Sequence, residues 1–288
     1  MNRGPDLFSN PCDMSKLEQK CERLLDLMRS LRSCVVAFSG GVDSAVVAKA
    51  AALALGERAL VVTGNSPSLA EGELKAAGQL ASQIGIRHEV ISTTEFSDPR
   101  HTQNAPDRCY HCKTELYEQL AASMDRWDVQ VIVNGANADD KHDFRPGMQA
   151  ASEHAVRSPL AECDLAKAEV RQLAARWNLP VWDKPAAPCL SSRVAYGEEV
   201  TPARLAMVDQ AEQLLRSHGL NTVRVRYHRG DLARLEIPVE ALSRICEPQL
   251  RQEIISRFRS IGFRFVTLDL EGFHSGSLND LLPVELLK

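Results

Sequence analysis

Six residues, Ser39-Gly-Gly-Val-Asp-Ser44, follow an apolar run and open a helical stretch. The start of a helix points unpaired N–H groups and a positive dipole end at one place, which suits an anion. Gly40 and Gly41 let a phosphate approach the backbone. No G-K-[ST] follows, so a kinase or GTPase loop is a poor match. A second polar run, Asn134-Gly-Ala-Asn-Ala-Asp-Asp-Lys-His-Asp-Phe-Arg-Pro-Gly147, follows another apolar strand. Its Asp139, Asp140 and Asp143 suit either a hard cation or a solvated acidic turn.

Cysteines form the second group. Cys109-Tyr-His-Cys112 starts a helix after a loop rich in Pro, Asn and Asp. Structural zinc usually takes four ligands, and the chain has no second CxxC, so a zinc ribbon is disfavoured. Cys189 is the best third ligand: it lies in a proline-rich loop beside Ser191, Ser192 and Arg193, a poor place for a packed thiol. Cys34 falls in a strand and is expected in the core, while Cys12, Cys21, Cys163 and Cys246 are isolated and receive no chemistry. The third group is Thr222-Val-Arg-Val-Arg-Tyr-His228, where strand alternation puts Val223, Val225 and Tyr227 on one face and Arg224, Arg226 and His228 on the other. Paired guanidinium groups suit a phosphate; the competing reading is a solvated face or a subunit contact. Glu236 is equally suited to a cation or to an arginine.

These residues need a scaffold. Candidate strands are Cys34–Phe38, Ala59–Thr63, His88–Ile91 and Val131–Asn134, separated by helical stretches at Val42–Leu55, Leu69–Ile84 and Cys109–Met124, with a further helix at Ser15–Leu31 before them. That β-α-β-α rhythm predicts a parallel sheet with ligands beyond its carboxyl strand ends. A helix-rich stretch, Asp164–Trp177, leads into the cysteine loop, and a boundary is expected near Thr201. After it come a helix at Pro202–Ser217, strands at Thr222–His228 and Leu232–Ile237, helix to Ser260, and a strand at Phe263–Leu268. The expected fold class is therefore α/β: residues 1–200 form a parallel-sheet domain that includes the cysteine loop, and 201–288 a smaller α+β domain.

Composition narrows the function. At 288 residues the chain suggests about two domains of roughly 150 residues each. Hydrophobic residues at 44% and charged residues at 25% are globular values. No apolar run reaches the roughly 20 residues of a membrane span, and no signal-like run opens the chain, so a cytoplasmic protein without membrane partners is expected. A net charge of −4 gives no global basic field and disfavours nucleic acid as a partner. Eight cysteines are too few for a disulfide scaffold, which favours metal, redox or nucleophilic roles.

The SGGVDS run matches every fixed position of SGGxDS, and so resembles the PP-loop of ATP pyrophosphatases, enzymes that split ATP into AMP and pyrophosphate. The resemblance implies that Ser39, Gly40, Gly41, Asp43 and Ser44 bind ATP, that Asp43 holds magnesium, and that Asn65 and Ser66 face the adenosine. With NGANADDKHDFRPG at Asn134, KPAAPCLSSR at Lys184, VRVRYH at Val223 and FRFVTLDLEGFHSG at Phe263, most of the chain resembles the LarE-type sulfur-insertion enzymes. These adenylylate a carboxylate of a pyridinium biscarboxylic acid mononucleotide and replace its oxygen with sulfur, in the pathway to the nickel-pincer nucleotide. Some members sacrifice the sulfur of a cysteine at the position of Cys189 and lack the CxxC. This sequence has the CxxC, and so is similar to members in which three cysteines, here Cys109, Cys112 and Cys189, hold a 4Fe-4S cluster that carries sulfide. The resemblance also places the substrate phosphate near Arg224 and Arg226, with Ser192 and Arg193 beside them. Family members are often oligomeric, and no stretch of this chain shows a homo-oligomer. Two rival readings remain at this point: a tRNA thiolase, which also combines a PP-loop with a CxxC and a third cysteine, and a non-enzymatic ATP-binding module with a structural metal.

Overall fold

The structure is a computed structural model that describes residues 11–142, 146–274, 277 and 278. Asp143 lies outside them. The chain forms two compact units. The first comprises residues 1–65, 72–93 and 112–187; the second comprises 66–71, 94–111 and 188–288. The boundary read near Thr201 thus falls inside the second unit, which also takes two segments from the first half of the chain.

In the first unit, β1 (Cys34–Ala37), β2 (Ala59–Asn65), β3 (Arg87–Ser92) and β4 (Val131–Val133) form a parallel sheet in the order β3-β2-β1-β4. Strand β1 is central because it is an unbroken apolar run: Cys34, Val35 and Val36 are fully buried, as strands covered on both faces require. Helix α1 (Pro11–Ser30) precedes the sheet, and α2 (Val42–Leu55) follows β1 directly. Helix α2 is apolar almost all round and buries Ala45 through Ala48, with Ala50 and Ala51. Its one lysine, Lys49, sends Nζ to the Ile84 carbonyl at 3.4 Å, at the end of α3 (Glu73–Ile84). The sheet grows outward through β2 and β3, and the chain then returns to add β4 on the far side of β1. Between β1 and β4 the chain therefore leaves in opposite directions, opening the kind of crevice where ligands bind in such sheets.

Helix α4 (Pro99–Thr102) belongs to the second unit, and α5 (Arg108–Trp127) runs across the unit boundary after His111. The first unit is completed by α6 (Pro146–Glu153), α7 (Pro159–Glu162) and α8 (Lys167–Arg176).

The second unit contains α9 (Pro202–Ser217), β5 (Arg224–His228), β6 (Leu232–Glu236), α10 (Leu242–Ile245), α11 (Pro248–Ile261) and β7 (Phe265–Leu268). Strands β5 and β6 are antiparallel, and β7 pairs parallel to β6. As the alternation implies, Val225 and Tyr227 enter a core with Leu205, Leu215, Phe258 and Phe263. Ala70 and Phe96, from the two early segments, pack against that core. Polar bonds fix them too: the Leu190 N–H donates to the Ser68 carbonyl at 2.8 Å, and the Ser68 and Ser191 hydroxyls pair at 2.6 Å.

A carboxylate organises this unit. Glu212 of α9 is fully buried, accepts from Arg193 Nε and the Val225 N–H at 3.1 Å each, and pairs with Arg216. It ties α9 to β5 and to the turn at Leu190–Arg193. Removing one partner of a buried ion pair leaves the other charge uncompensated. Glu212→Ala should therefore cost about 3–5 kcal/mol in urea unfolding, whereas truncating exposed Val239 should change stability by less than about 0.5 kcal/mol.

Candidate functional site

The crevice beyond β1 and β4 brings two backbones into contact. A Cβ built on Gly135 would lie 2.8 Å from the Ser44 nitrogen and 3.1 Å from the Asp43 carbonyl carbon, so this position accepts only glycine without a shift. Gly40 adopts a φ of +69°, a conformation other residues rarely take, and Gly41 caps α2. The Ser39 hydroxyl accepts the Gly41 N–H at 3.3 Å and pairs with the Ser44 hydroxyl at 3.2 Å, while Ser44 Oγ donates to the Gly41 carbonyl at 3.1 Å. The result is a pre-shaped turn at the open end of a helix.

Asp43 already has partners there. Asn137 Nδ2 donates to one carboxylate oxygen at 3.2 Å, and Lys167 Nζ pairs with the other. Neither residue was singled out from the sequence. Asn137 lay inside the quoted run, whereas Lys167, at the start of α8, gave no local signal. Two of the acidic residues accept backbone N–H groups. Asp139 Oδ2 accepts the Lys167 N–H at 2.9 Å and so caps α8; Asp140, nearly buried, accepts the Asn137 N–H at 3.0 Å. Asn65, exposed at the end of β2, accepts the Thr93 N–H through its carbonyl at 3.2 Å. Ser66 belongs to the second unit, where its hydroxyl accepts the Ser68 N–H at 3.1 Å.

Cys109 and Cys112 stand one turn apart at the start of α5, the first exposed and the second half-buried. Cys189 is exposed in its loop. None of the three is in a disulfide. Among the described residues, no three His, Cys, Asp or Glu side chains converge tightly enough to hold a single metal ion. Cys34 is core, as expected, and burial pushes its thiol up to about 12.

The arginine face of β5 is buried. Arg226 donates to Glu236 at 2.8 Å, to the Ser277 hydroxyl at 3.0 Å and to the Ser192 carbonyl at 3.0 Å. Glu236 is thus an arginine partner; it also pairs with Arg234. Arg193, a candidate for the phosphate, is turned inward onto Glu212, the Cys189 carbonyl at 2.8 Å and the Ser192 hydroxyl at 3.1 Å. It braces the cysteine loop. Arg224 donates to the Val223 carbonyl at 2.8 Å and lies over the Phe273 ring. Burial first, and then the Arg193 charge, hold its guanidinium down to about 10, with Glu212 pulling the other way and Arg226 and Arg216 adding to the repulsion. Such a crowded cation gains from any anion that reaches it.

The sequence profile described as NAD synthase matches residues 16–121, the part that carries the SGGVDS turn. An uncharacterized protein of Synechocystis is 46% identical over 92% of this chain and 99% of its own. The pyridinium-3,5-bisthiocarboxylic acid mononucleotide synthase of Lactiplantibacillus plantarum is 38% identical over 93% of this chain and 97% of its own. The chain belongs to the LarE family. A tRNA-specific 2-thiouridylase of Beijerinckia indica matches over only 54% of this chain and 44% of its own, at 29% identity. The LarE assignment therefore covers both units, whereas the thiouridylase resemblance is partial. No helix among the described residues is long and apolar enough to cross a membrane.

The close approach at Gly135 can be tested directly. Gly135→Ala should weaken ATP binding roughly five- to a hundredfold by calorimetry, the effect of an overpacking cost of about 1–3 kcal/mol. Gly78→Ala, whose Cβ would meet nothing nearer than 3.5 Å, should bind as the wild type does.

Proposed function

We propose that the protein is an ATP-dependent sulfurtransferase that activates a carboxylate of a pyridinium biscarboxylic acid mononucleotide and replaces an oxygen with sulfur, in nickel-pincer nucleotide biosynthesis. The observation that carries the reading is the end-to-end similarity to the bisthiocarboxylic acid mononucleotide synthase. The chemistry has two steps. A carboxylate oxygen attacks the α-phosphorus of ATP and expels pyrophosphate; a sulfur nucleophile then attacks the acyl carbon, the C–O bond breaks, and AMP departs with the oxygen. Adenylylation is needed because a carboxylate oxygen is otherwise a poor leaving group.

Ser39, Gly40, Gly41 and Ser44 hold the pyrophosphate end of ATP at the start of α2, with Asp43 taking magnesium in place of its Lys167 and Asn137 partners. Lys167, once released, is free to meet phosphate. Asn65 and Ser66 serve the adenosine. In the second unit Arg224 and Arg226 take the phosphate of the acceptor; Ser192 and Arg193 shape the loop beside them. Support for the phosphate role comes from the repulsion that Arg193, Arg226 and Arg216 exert on Arg224. The thiol chemistry suits a reducing compartment, the cytoplasm.

Cys109, Cys112 and Cys189 fit an iron–sulfur cluster by donor type: three thiols outside any disulfide, two of them on one helical turn. A cluster spreads its cysteine sulfurs wider than a single ion does, so the lack of a single-ion site among the described residues does not bear on it. When bound, a 4Fe-4S group with three protein ligands supplies an open iron for an exogenous sulfide.

With labelled ATP and the mononucleotide, the expected products are AMP and pyrophosphate, and Asp43→Ala should lose most of the turnover while keeping its circular dichroism. ADP and inorganic phosphate as sole products would overturn the assignment. For the cysteines, anaerobic protein should bind iron and turn over repeatedly with sulfide, and alanine at any one of the three should abolish both properties. An iron-free protein that transfers one sulfur, with Cys189 losing the mass of hydrogen sulfide, would instead identify Cys189 as a sacrificial donor.

A further inference from the structure

Helix α5 opens with a charged residue that the reaction above leaves without a role. Arg108 is 5% exposed although the cysteine that follows it is open to solvent. Its Nη1 donates to the Ser191 carbonyl at 2.8 Å and to Asn104 Oδ1, and its Nη2 lies 4.0 Å from Cys109 Sγ. Asn104 is fully buried with a φ of 58°. It sends Nδ2 to the Val194 and Ala195 carbonyls at 3.2 and 2.8 Å, while its own carbonyl accepts the Gly197 N–H at 3.2 Å. Asn104 and Arg108, four positions apart, thus grip the chain just after Cys189: their side chains hold Ser191, Val194 and Ala195, and the Asn104 main chain holds Gly197.

A buried guanidinium needs negative charge nearby. The two oxygens that Arg108 bonds are neutral. The remaining edge of the guanidinium faces sulfur, with Nη2 4.0 Å from Cys109 Sγ.

We propose that Arg108 is a positioning residue of the sulfur site: it fastens the cysteine loop to the start of α5 through Ser191 and Asn104, and it presents a fixed positive charge to the sulfur of Cys109. The forked guanidinium suits both tasks, one nitrogen bonding the loop and the other facing sulfur; a lysine keeps the charge but not the fork. The inference rests on the sulfur-transfer reading for its purpose, though not for its charge.

The test uses the full-length chain, kept metal-free with a chelator, and two thiol reagents: a dianionic aromatic disulfide and a neutral pyridyl disulfide. Site-resolved mass spectrometry gives, for each cysteine, the ratio of the two rates, with exposed Cys246 as the internal reference. A single positive charge near the sulfur should raise the ratio at Cys109 about three- to tenfold over Cys246. Arg108→Gln should abolish that preference and Arg108→Lys should retain it. In turnover with sulfide, Arg108→Lys should lower the sulfur transferred per pyrophosphate released by about tenfold or more, because the loop is no longer fastened. A wild-type ratio equal to that of Cys246, or a ratio unchanged in Arg108→Gln, overturns the proposal. If Arg108→Gln does not fold, the wild-type comparison decides alone. Absence of pyrophosphate release in the wild type would defeat the sulfurtransferase reading instead, while the thiol ratios would still report on Arg108.

Discussion

The nucleotide end of the protein depends on a close approach between two backbones. The turn after β4 passes so near the first turn of α2 that Gly135 has no room for a methyl group beside Ser44. This contact is possible because β4 joins the sheet next to β1, on the side opposite β2. The switch in direction opens the crevice, and the glycine lets its two walls meet at the helix start. Asn137 and Lys167 then each reach Asp43, one at each carboxylate oxygen, so the aspartate is held in place.

The second unit works by charge accounting of a different kind. Two fully buried carboxylates, Glu212 and Glu236, stand among Arg193, Arg224, Arg226, Arg216 and Arg234. Each carboxylate is shared by two arginines, which fixes the guanidinium groups in direction as well as in place. Arg193 reaches the Cys189 carbonyl and Arg226 pairs with Glu236, while burial first and the Arg193 charge second lower the pKa of Arg224. The interior of this small α+β unit is thus held by charge pairs as well as by its apolar core.

Much of this was legible from the sequence. The apolar run at Cys34–Phe38 marked a strand, found at Cys34–Ala37, and α2 begins and ends where its apolar pattern does. The alternation in β5 separated Val225 and Tyr227 from Arg224 and Arg226 as expected. The helix expected at Leu69–Ile84 starts only at Glu73, because Ser66–Glu71 is bound to the second unit through Ser68 and the Glu71 N–H, which Asp209 accepts at 3.0 Å. That displacement, like the partnerships of Lys167 with Asp43 and of Arg108 with Ser191, joins residues more than 80 positions apart. Periodicity and local motifs carry no information about such pairs. The pairing of Arg193 with Glu212 is hidden for a related reason: it is a property of α9, not of its own loop.

The division of the chain bears on its synthesis. The polypeptide passes between the two units five times, after residues 65, 71, 93, 111 and 187. A ribosome delivers the chain from its amino end, so Ser66–Glu71 and Thr94–His111 emerge long before the strands and helices they pack against. Until Pro188 and the residues beyond it are made, Phe96, Asn104 and Arg108 have no completed core to enter. For the same reason residues 188–288 excised alone would lack pieces of their own interior. The second unit is a product of the whole chain rather than an appendage to it, and a gene cut at its apparent border would sever a fold that has none.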